Sequence, residues 1–279
     1  MQKSELVLAE FMKPLLNLRR TGLFRRLSGV PLTIPVRSKQ TGYVVYADLF
    51  RNFAFVARRE YEIEEWRSFV QLLHHFRPEV FWDVGANIGL YSLFFLSRRP
   101  TGSVLAFEPD LRNLRLFNRT VHRNALSSVK IVPKAVDRQV GETTFFLDDI
   151  TGASGTIVPN NFFISDQYGA SPMQVRVETT TLDEQLRENE GPDLIKIDIE
   201  GAELAALEGG CCMLERHLPV VLYEASINPS QTASLLKNFG YKLFNARTLQ
   251  SIDDPAYTTI ALHQQKHLGG TQWREPTVN

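Results

Sequence analysis

The run Phe81-Trp82-Asp83-Val84-Gly85-Ala86-Asn87-Ile88-Gly89-Leu90-Tyr91-Ser92 decides the fold. Its apolar start suits a central parallel strand. Gly85 and Gly89 permit a sharp backbone turn and a close approach to a ligand that a Cβ would obstruct. A helix is expected over 88–97, then a turn at Pro100-Thr101-Gly102 and a second apolar strand over 103–107. Strand, glycine turn, helix and strand open a doubly wound α/β sheet, whose ligands gather outside the C-terminal ends of the strands.

Charge narrows the ligand. A dinucleotide loop carries G-x-G-x-x-G and offers bare N–H groups to a pyrophosphate. Here there are two glycines and a carboxylate, Asp83, at the strand tip. That carboxylate repels a pyrophosphate and attracts the sulfonium and ammonium of S-adenosylmethionine, which makes NAD and a dehydrogenase the runner-up, beside a non-catalytic cofactor-binding scaffold. The second strand ends in Glu108, placed to accept both ribose hydroxyls. The plainer alternative is a carboxylate serving the start of the helix near Pro109 and Asp110.

Farther along, Leu194-Ile195-Lys196-Ile197-Asp198-Ile199-Glu200-Gly201 puts Lys196, Asp198 and Glu200 at period two on a strand that should be apolar. Burying those charges is costly unless they pair or serve a site. A Lys196–Asp198 ion pair that only organises the sheet is one reading. The other puts Asp198 beside the cofactor's methionine or methyl, with Glu200 or Asp198 as proton acceptor and Lys196 orienting either. Glu224 ends another strand and could face the same crevice.

Around these blocks, strands are expected over 129–136, 142–147, 173–180, 193–199, 219–224, 241–245 and 257–262. Helices are expected over 60–76, 111–124, 202–214 and 230–239, and a capping box is expected at Thr181-Leu182-Asp183-Glu184. Residues 43–55 suggest a short hairpin. Residues 148–172 lack periodicity but hold aromatics, as a lid or substrate wall would, and Ser154 lies within them. The expected organisation is an N-terminal helical and hairpin cap over 1–78, a catalytic domain over 79–263 and a loose tail over 264–279.

The 279 residues include 31 basic and 31 acidic side chains, so the net charge is zero and nothing favours a nucleic-acid partner. Arg19, Arg20, Arg25 and Arg26, interleaved with leucines, could lie on a membrane surface, although an ordinary amphipathic helix packed on the domain explains them better. No apolar run reaches the ~20 residues of a membrane span, and the N-terminus lacks a signal-peptide pattern. Cys211 and Cys212 are adjacent, and neighbouring cysteines rarely pair, which suits a cytoplasmic protein. The six histidines make no zinc-ligand spacing, and no metal is required, although Asp198 and Glu200 could hold Mg²⁺ against a diol. Oligomeric state is not legible.

Residues 80–92, Phe107-Glu108-Pro109, Ala135-Val136 with Gly141, Thr181-Leu182-Asp183 and 194–203 together resemble the FkbM family of S-adenosylmethionine-dependent methyltransferases. The block Ile195-Lys196-Ile197-Asp198-Ile199-Glu200-Gly201-Ala202-Glu203 is the most specific part. The resemblance runs from about Val80 to Glu224. It implies a seven-stranded, mostly parallel Rossmann-like methyltransferase fold and O-methylation of a hydroxyl on a sugar, glycolipid or secondary metabolite. By position, Asp83, Gly85, Asn87 and Gly89 match the family's cofactor loop, and Glu108 matches its ribose acid. Ala86, Tyr91, Pro109, Ala135 and Asp198 are assigned to the same cofactor. Glu200, Asp198 and Lys196 are assigned to catalysis, and Ser154 and Glu224 to the acceptor. The cap and the tail have no counterpart, so the acceptor's identity does not carry over.

Overall fold

The computed structural model describes residues 29–52, 55–56, 63–159, 161 and 171–269. The Arg/Leu segment over 15–27 lies outside them. A hairpin of β1 (Thr33–Arg37) and β2 (Val44–Asp48) comes first, paired antiparallel. Only its second strand falls in the stretch expected to make a hairpin. Helix α1 (Ile63–Phe76) then leads into β3 (Val80–Val84), α2 (Leu90–Arg98), β4 (Ser103–Phe107), α3 (Leu111–Arg123) and β5 (Val129–Val132).

The expected strand over 129–136 breaks. Pro133 has no N–H to continue the ladder, so β5 stays in the large sheet while β6 (Ala135–Val136) turns away. There β6 joins β7 (Gly141–Leu147) and β8 (Met173–Thr180) in a three-stranded sheet of order β6-β8-β7. Thr181 caps α4 (Leu182–Gln185), its hydroxyl accepting from the Glu184 N–H at 3.0 Å. Next come β9 (Leu194–Ile197), α5 (Glu203–Glu208), α6 (Cys211–His217), β10 (Val220–Glu224), α7 (Pro229–Asn238), β11 (Tyr241–Asn245), β12 (Ser251–Ile252) and β13 (Thr258–His263). The single helix expected over 202–214 is two helices, interrupted at Gly209-Gly210. A Cβ there would meet the Asp137 carbonyl and the Leu182 side chain.

The large sheet has the order β12-β11-β13-β10-β9-β3-β4-β5. Strands β5, β4, β3, β9 and β10 are parallel, and β13 reverses direction beside β10. Seven strands make the doubly wound frame, and the two-residue β12 extends its edge. Two apolar layers cover its faces. Phe69, Phe81, Phe95 and Phe117 belong to one; Trp82, Phe107, Leu207 and Leu236 belong to the other. The residues after His263 were expected to be loose. Gln264–Leu268 instead form a π-helical turn, with His267 buried against Phe76 and its Nδ1 accepting from the His263 N–H.

Candidate cofactor and acceptor cleft

Strand β3 delivers Asp83 and then the Gly85–Gly89 turn. Gly85, Asn87 and Gly89 all adopt positive φ (82°, 53° and 84°). The glycines are needed for a reason the sequence reading missed. A Cβ at Gly85 would stand 1.9 Å from the Asp198 carbonyl oxygen, and one at Gly89 would stand 2.1 Å from the Phe117 ring. The close approach is between the turn and its own protein neighbours, which seats the end of β9 against the end of β3.

Asp83 is fully buried. Its Oδ2 accepts from the Ser92 N–H (3.1 Å) and hydroxyl (2.6 Å), while Oδ1 has no partner. Burial pushes its carboxyl above the ordinary range, opposed by Lys196 and by the Ser92 bonds. Asp83 therefore stands behind the cleft wall, tying the turn to α2. Tyr91, also expected at the cofactor, stacks on Trp66 and lies 4.6 Å beneath the Lys196 ammonium. Ala86 and Gly89 are likewise buried off the cleft surface.

The cleft itself runs between the C-terminal ends of β3, β4 and β9. Gly85, Asn87, Glu108, Pro109, Ala135 and Asp198 line it, together with the apolar Phe107, Phe145, Ile157 and Ile199. Its free volume is about 50 Å³, narrowed by Gly152, Ala153, Gly155 and Thr156 of the loop after β7.

At one end, Glu108 Oε2 accepts from the Asn87 N–H and Oε1 from the Asp110 N–H, both at 2.8 Å. Asp110, not Glu108, caps α3. Burial and then Asp110 push the Glu108 carboxyl up to about 7. Asn113, which the sequence reading did not single out, completes this end and donates to the Gly152 carbonyl. Asn87 Oδ1 is buried without a partner.

At the other end the chain leaves β9 at Ile197, so the period-two face stops at Asp198. Glu200 sits in the following turn at φ 53°, with Gly201 at φ 100°. Lys196 Nζ donates to Asp198 Oδ2 at 2.8 Å, so the ion pair anticipated as an alternative is present. Burial lowers the Lys196 pKa, but Asp198 and Asp83 more than offset this and raise it overall. Burial, Asp198 and Glu203 push Glu200 up to about 7, against a hydrogen bond from Ser154. Glu224, at the end of β10, is also pushed up by burial and Asp198, opposed by Lys196 and by Tyr257. The structure therefore brings Lys196, Asp198, Glu200, Glu224 and Ser154 together. Glu203 holds the turn from behind: it is 1% exposed, and Oε1 accepts from the N–H groups of Ile199 (3.2 Å) and Gly201 (3.1 Å).

Residues 83–243 match the family model described as the methyltransferase FkbM domain. The chain belongs to the FkbM methyltransferase family. It is 31% identical over 193 residues to methyltransferase sdnD of Sordaria araneosa, covering 59% of this chain and 74% of that one. It is 30% identical over 153 residues to 2-O-methyltransferase NoeI of Sinorhizobium fredii, covering 52% and 62%. It is 26% identical over 163 residues to the hexuronic acid methyltransferase AglP of Haloferax volcanii, covering 57% and 61%. The chain thus spans about three-fifths of the lengths of NoeI and AglP. It is a methyltransferase with a Rossmann-like fold that uses a methyl donor, and the dehydrogenase alternative falls away. Among the described residues no helix is long and apolar enough to cross a membrane, and no group of three or more His, Cys, Asp or Glu is placed to hold a metal.

Proposed function

We propose that this FkbM methyltransferase uses S-adenosylmethionine to methylate a hydroxyl of a saccharide, glycolipid or secondary metabolite. The observation that carries this reading is one cleft with a nucleoside-competent carboxylate, Glu108, at one end and the Asp198–Glu200 turn at the other. The donor set fits the cofactor: carboxylates at both ends, apolar walls between, and an unpaired Asn87 Oδ1 for a polar edge. When bound, S-adenosylmethionine supplies an electrophilic methyl on a cationic sulfur.

Glu108 accepts the ribose hydroxyls, and Asp198, steadied by Lys196, faces the cationic end. Glu200 takes the acceptor's hydroxyl proton, and Ser154 and Glu224 orient the acceptor. A carboxylate poised near neutrality suits a base of this kind, which contributes a factor of ~10²–10⁴, while alignment supplies ~7–11 kcal/mol. The name of NoeI, a 2-O-methyltransferase, supports oxygen as the methylated atom, and that of AglP, a hexuronic acid methyltransferase, supports a saccharide as the acceptor class.

The test is transfer of a radiolabelled methyl from S-adenosylmethionine to saccharide and lipid-linked acceptors. Glu200→Gln is expected to lose at least ~100-fold in turnover, with S-adenosylhomocysteine binding changed less than about threefold. Loss of binding instead reassigns Glu200 to the cofactor. Cofactor binding without transfer to any hydroxyl removes the O-methylation reading.

A further inference from the structure

The N-terminal hairpin lies outside the residues that match the family, yet it sends one side chain into the cleft wall. Arg51, three residues past β2, is 2% exposed. Its Nη2 pairs with Asp110 Oδ2 and donates to the Asp148 carbonyl at 2.9 Å, and its Nη1 donates to Asn113 Oδ1 at 3.1 Å. Its Nε is buried without a partner. Gly152 packs directly on the guanidinium, since a Cβ there would stand 2.5 Å from Nε. The carbonyl of the same Gly152 accepts from the side-chain amides of Asn87 and Asn113, both at 3.0 Å.

One planar fork therefore joins the α3 cap, which also positions Glu108, to the loop that narrows the cleft. An ammonium could not span these acceptors at once. The hairpin that presents Arg51 is itself fixed to α3. The Tyr46 N–H donates to Thr120 Oγ1 at 2.9 Å, the Val44 N–H donates to Asn124 Oδ1 at 3.0 Å, and Arg112 pairs with Asp48.

We propose that Arg51 is a positioning residue of the cofactor cleft, a latch through which the N-terminal hairpin holds the loop over 148–157 and the Asp110 turn in the arrangement that receives the nucleoside. This rests on the cleft being the S-adenosylmethionine site. Arg51 acts through Asp110, Asn113 and Gly152 and touches no reacting atom. Its charge also bears on Glu108: Arg51 lowers that carboxyl's pKa while Asp110 raises it. A Glu108 that must be ionised to accept ribose hydroxyls then needs a higher pH once Arg51 is gone.

The experiment is calorimetry of S-adenosylhomocysteine binding to the full chain between pH 6 and 9, for the wild type, Arg51→Lys and Arg51→Ala. It is combined with amide hydrogen exchange of residues 151–157. Arg51→Ala is expected to bind at least tenfold more weakly, with the pH midpoint of binding displaced upward. Arg51→Lys is expected to fall between it and the wild type. In Arg51→Lys, exchange over 151–157 is expected to rise at least tenfold while exchange in β9 stays unchanged. Should Arg51→Ala fail to fold, Arg51→Lys and its exchange pattern decide. Wild-type affinity, pH midpoint and loop exchange in Arg51→Lys overturn the latch. A wild type that binds no S-adenosylhomocysteine overturns the cleft assignment, and the latch with it.

Discussion

Gly85 carries the tightest constraint in the cleft. Its φ of 82° and the Asp198 carbonyl 1.9 Å from where a Cβ would stand leave no room for alanine. Strained φ and overpacking against backbone each cost ~1–3 kcal/mol, so Gly85→Ala is expected to lose ~3 kcal/mol or more in urea unfolding. Glu203 is a second such residue. Glu203→Gln keeps a carbonyl acceptor for Ile199 and Gly201 and should remain folded. Glu203→Ala leaves two N–H groups unpaired and is expected to lose ~2–4 kcal/mol by the same measurement. For Glu200, with its pKa raised to about 7, kcat at saturating S-adenosylmethionine is expected to climb as pH rises through about 7, and Glu200→Gln should remove that limb while the Glu108-dependent limb of cofactor binding stays. A pH-independent rate would deny Glu200 the role of base. Asp83, Glu108 and Asp198 were legible as acids at strand ends because the apolar runs before them mark where the strands stop. That Asp83 turns inward to Ser92, away from the cleft, was not legible, because the direction of a side chain depends on the helix packed behind it.

The site is assembled by the junctions between elements. The turns after β3, β4 and β9 bring Gly85, Glu108 and Asp198 together, and the loop after β7 closes over them. Stability at a distance from these turns should leave binding intact. Thr181→Ala removes the α4 cap and is expected to cost ~1 kcal/mol in unfolding, with S-adenosylhomocysteine affinity unchanged. A change in affinity would show that α4 is coupled to the cleft. Most central elements could be read from apolar runs and glycine turns. The exceptions have local causes. Pro133 splits one expected strand between two sheets, and Gly209-Gly210 split one expected helix. Strand β1, with Pro35 at its centre and Val36 alone buried, carried too little alternation to be recognised.

Across the described residues, one rim of the sheet gathers Asp83, Asp198, Glu200 and Glu224 near the buried Lys196 ammonium, with Glu108 at the far end of the same cleft. Burial raises the pKa of Glu108 and Glu200 from 4.5 to about 7. A raised carboxylate contributes stability that is fully present below its unfolded value and is lost as pH rises to the folded value. Glu108 is therefore expected to remove on the order of 3 kcal/mol of unfolding free energy from the ligand-free protein between about pH 4.5 and 7, while buried His267, its pKa lowered, acts with the opposite sign. Urea titrations of the wild type and Glu108→Gln across that range check it, and a difference between the two that does not change over the window would contradict it. The chain's neutral overall charge hid this local excess, because the acids converge only once β3, β4, β9 and β10 lie side by side. The most direct test of the central claim is a crystal structure of the protein with S-adenosylhomocysteine. The expected result is the ribose on Glu108 and the thioether sulfur at the Asp198–Glu200 end, with Arg51 still paired to Asp110 and packed on Gly152 and the residues over 153–157 moved aside. Ligand bound elsewhere, or a cleft empty at saturating ligand, would contradict it.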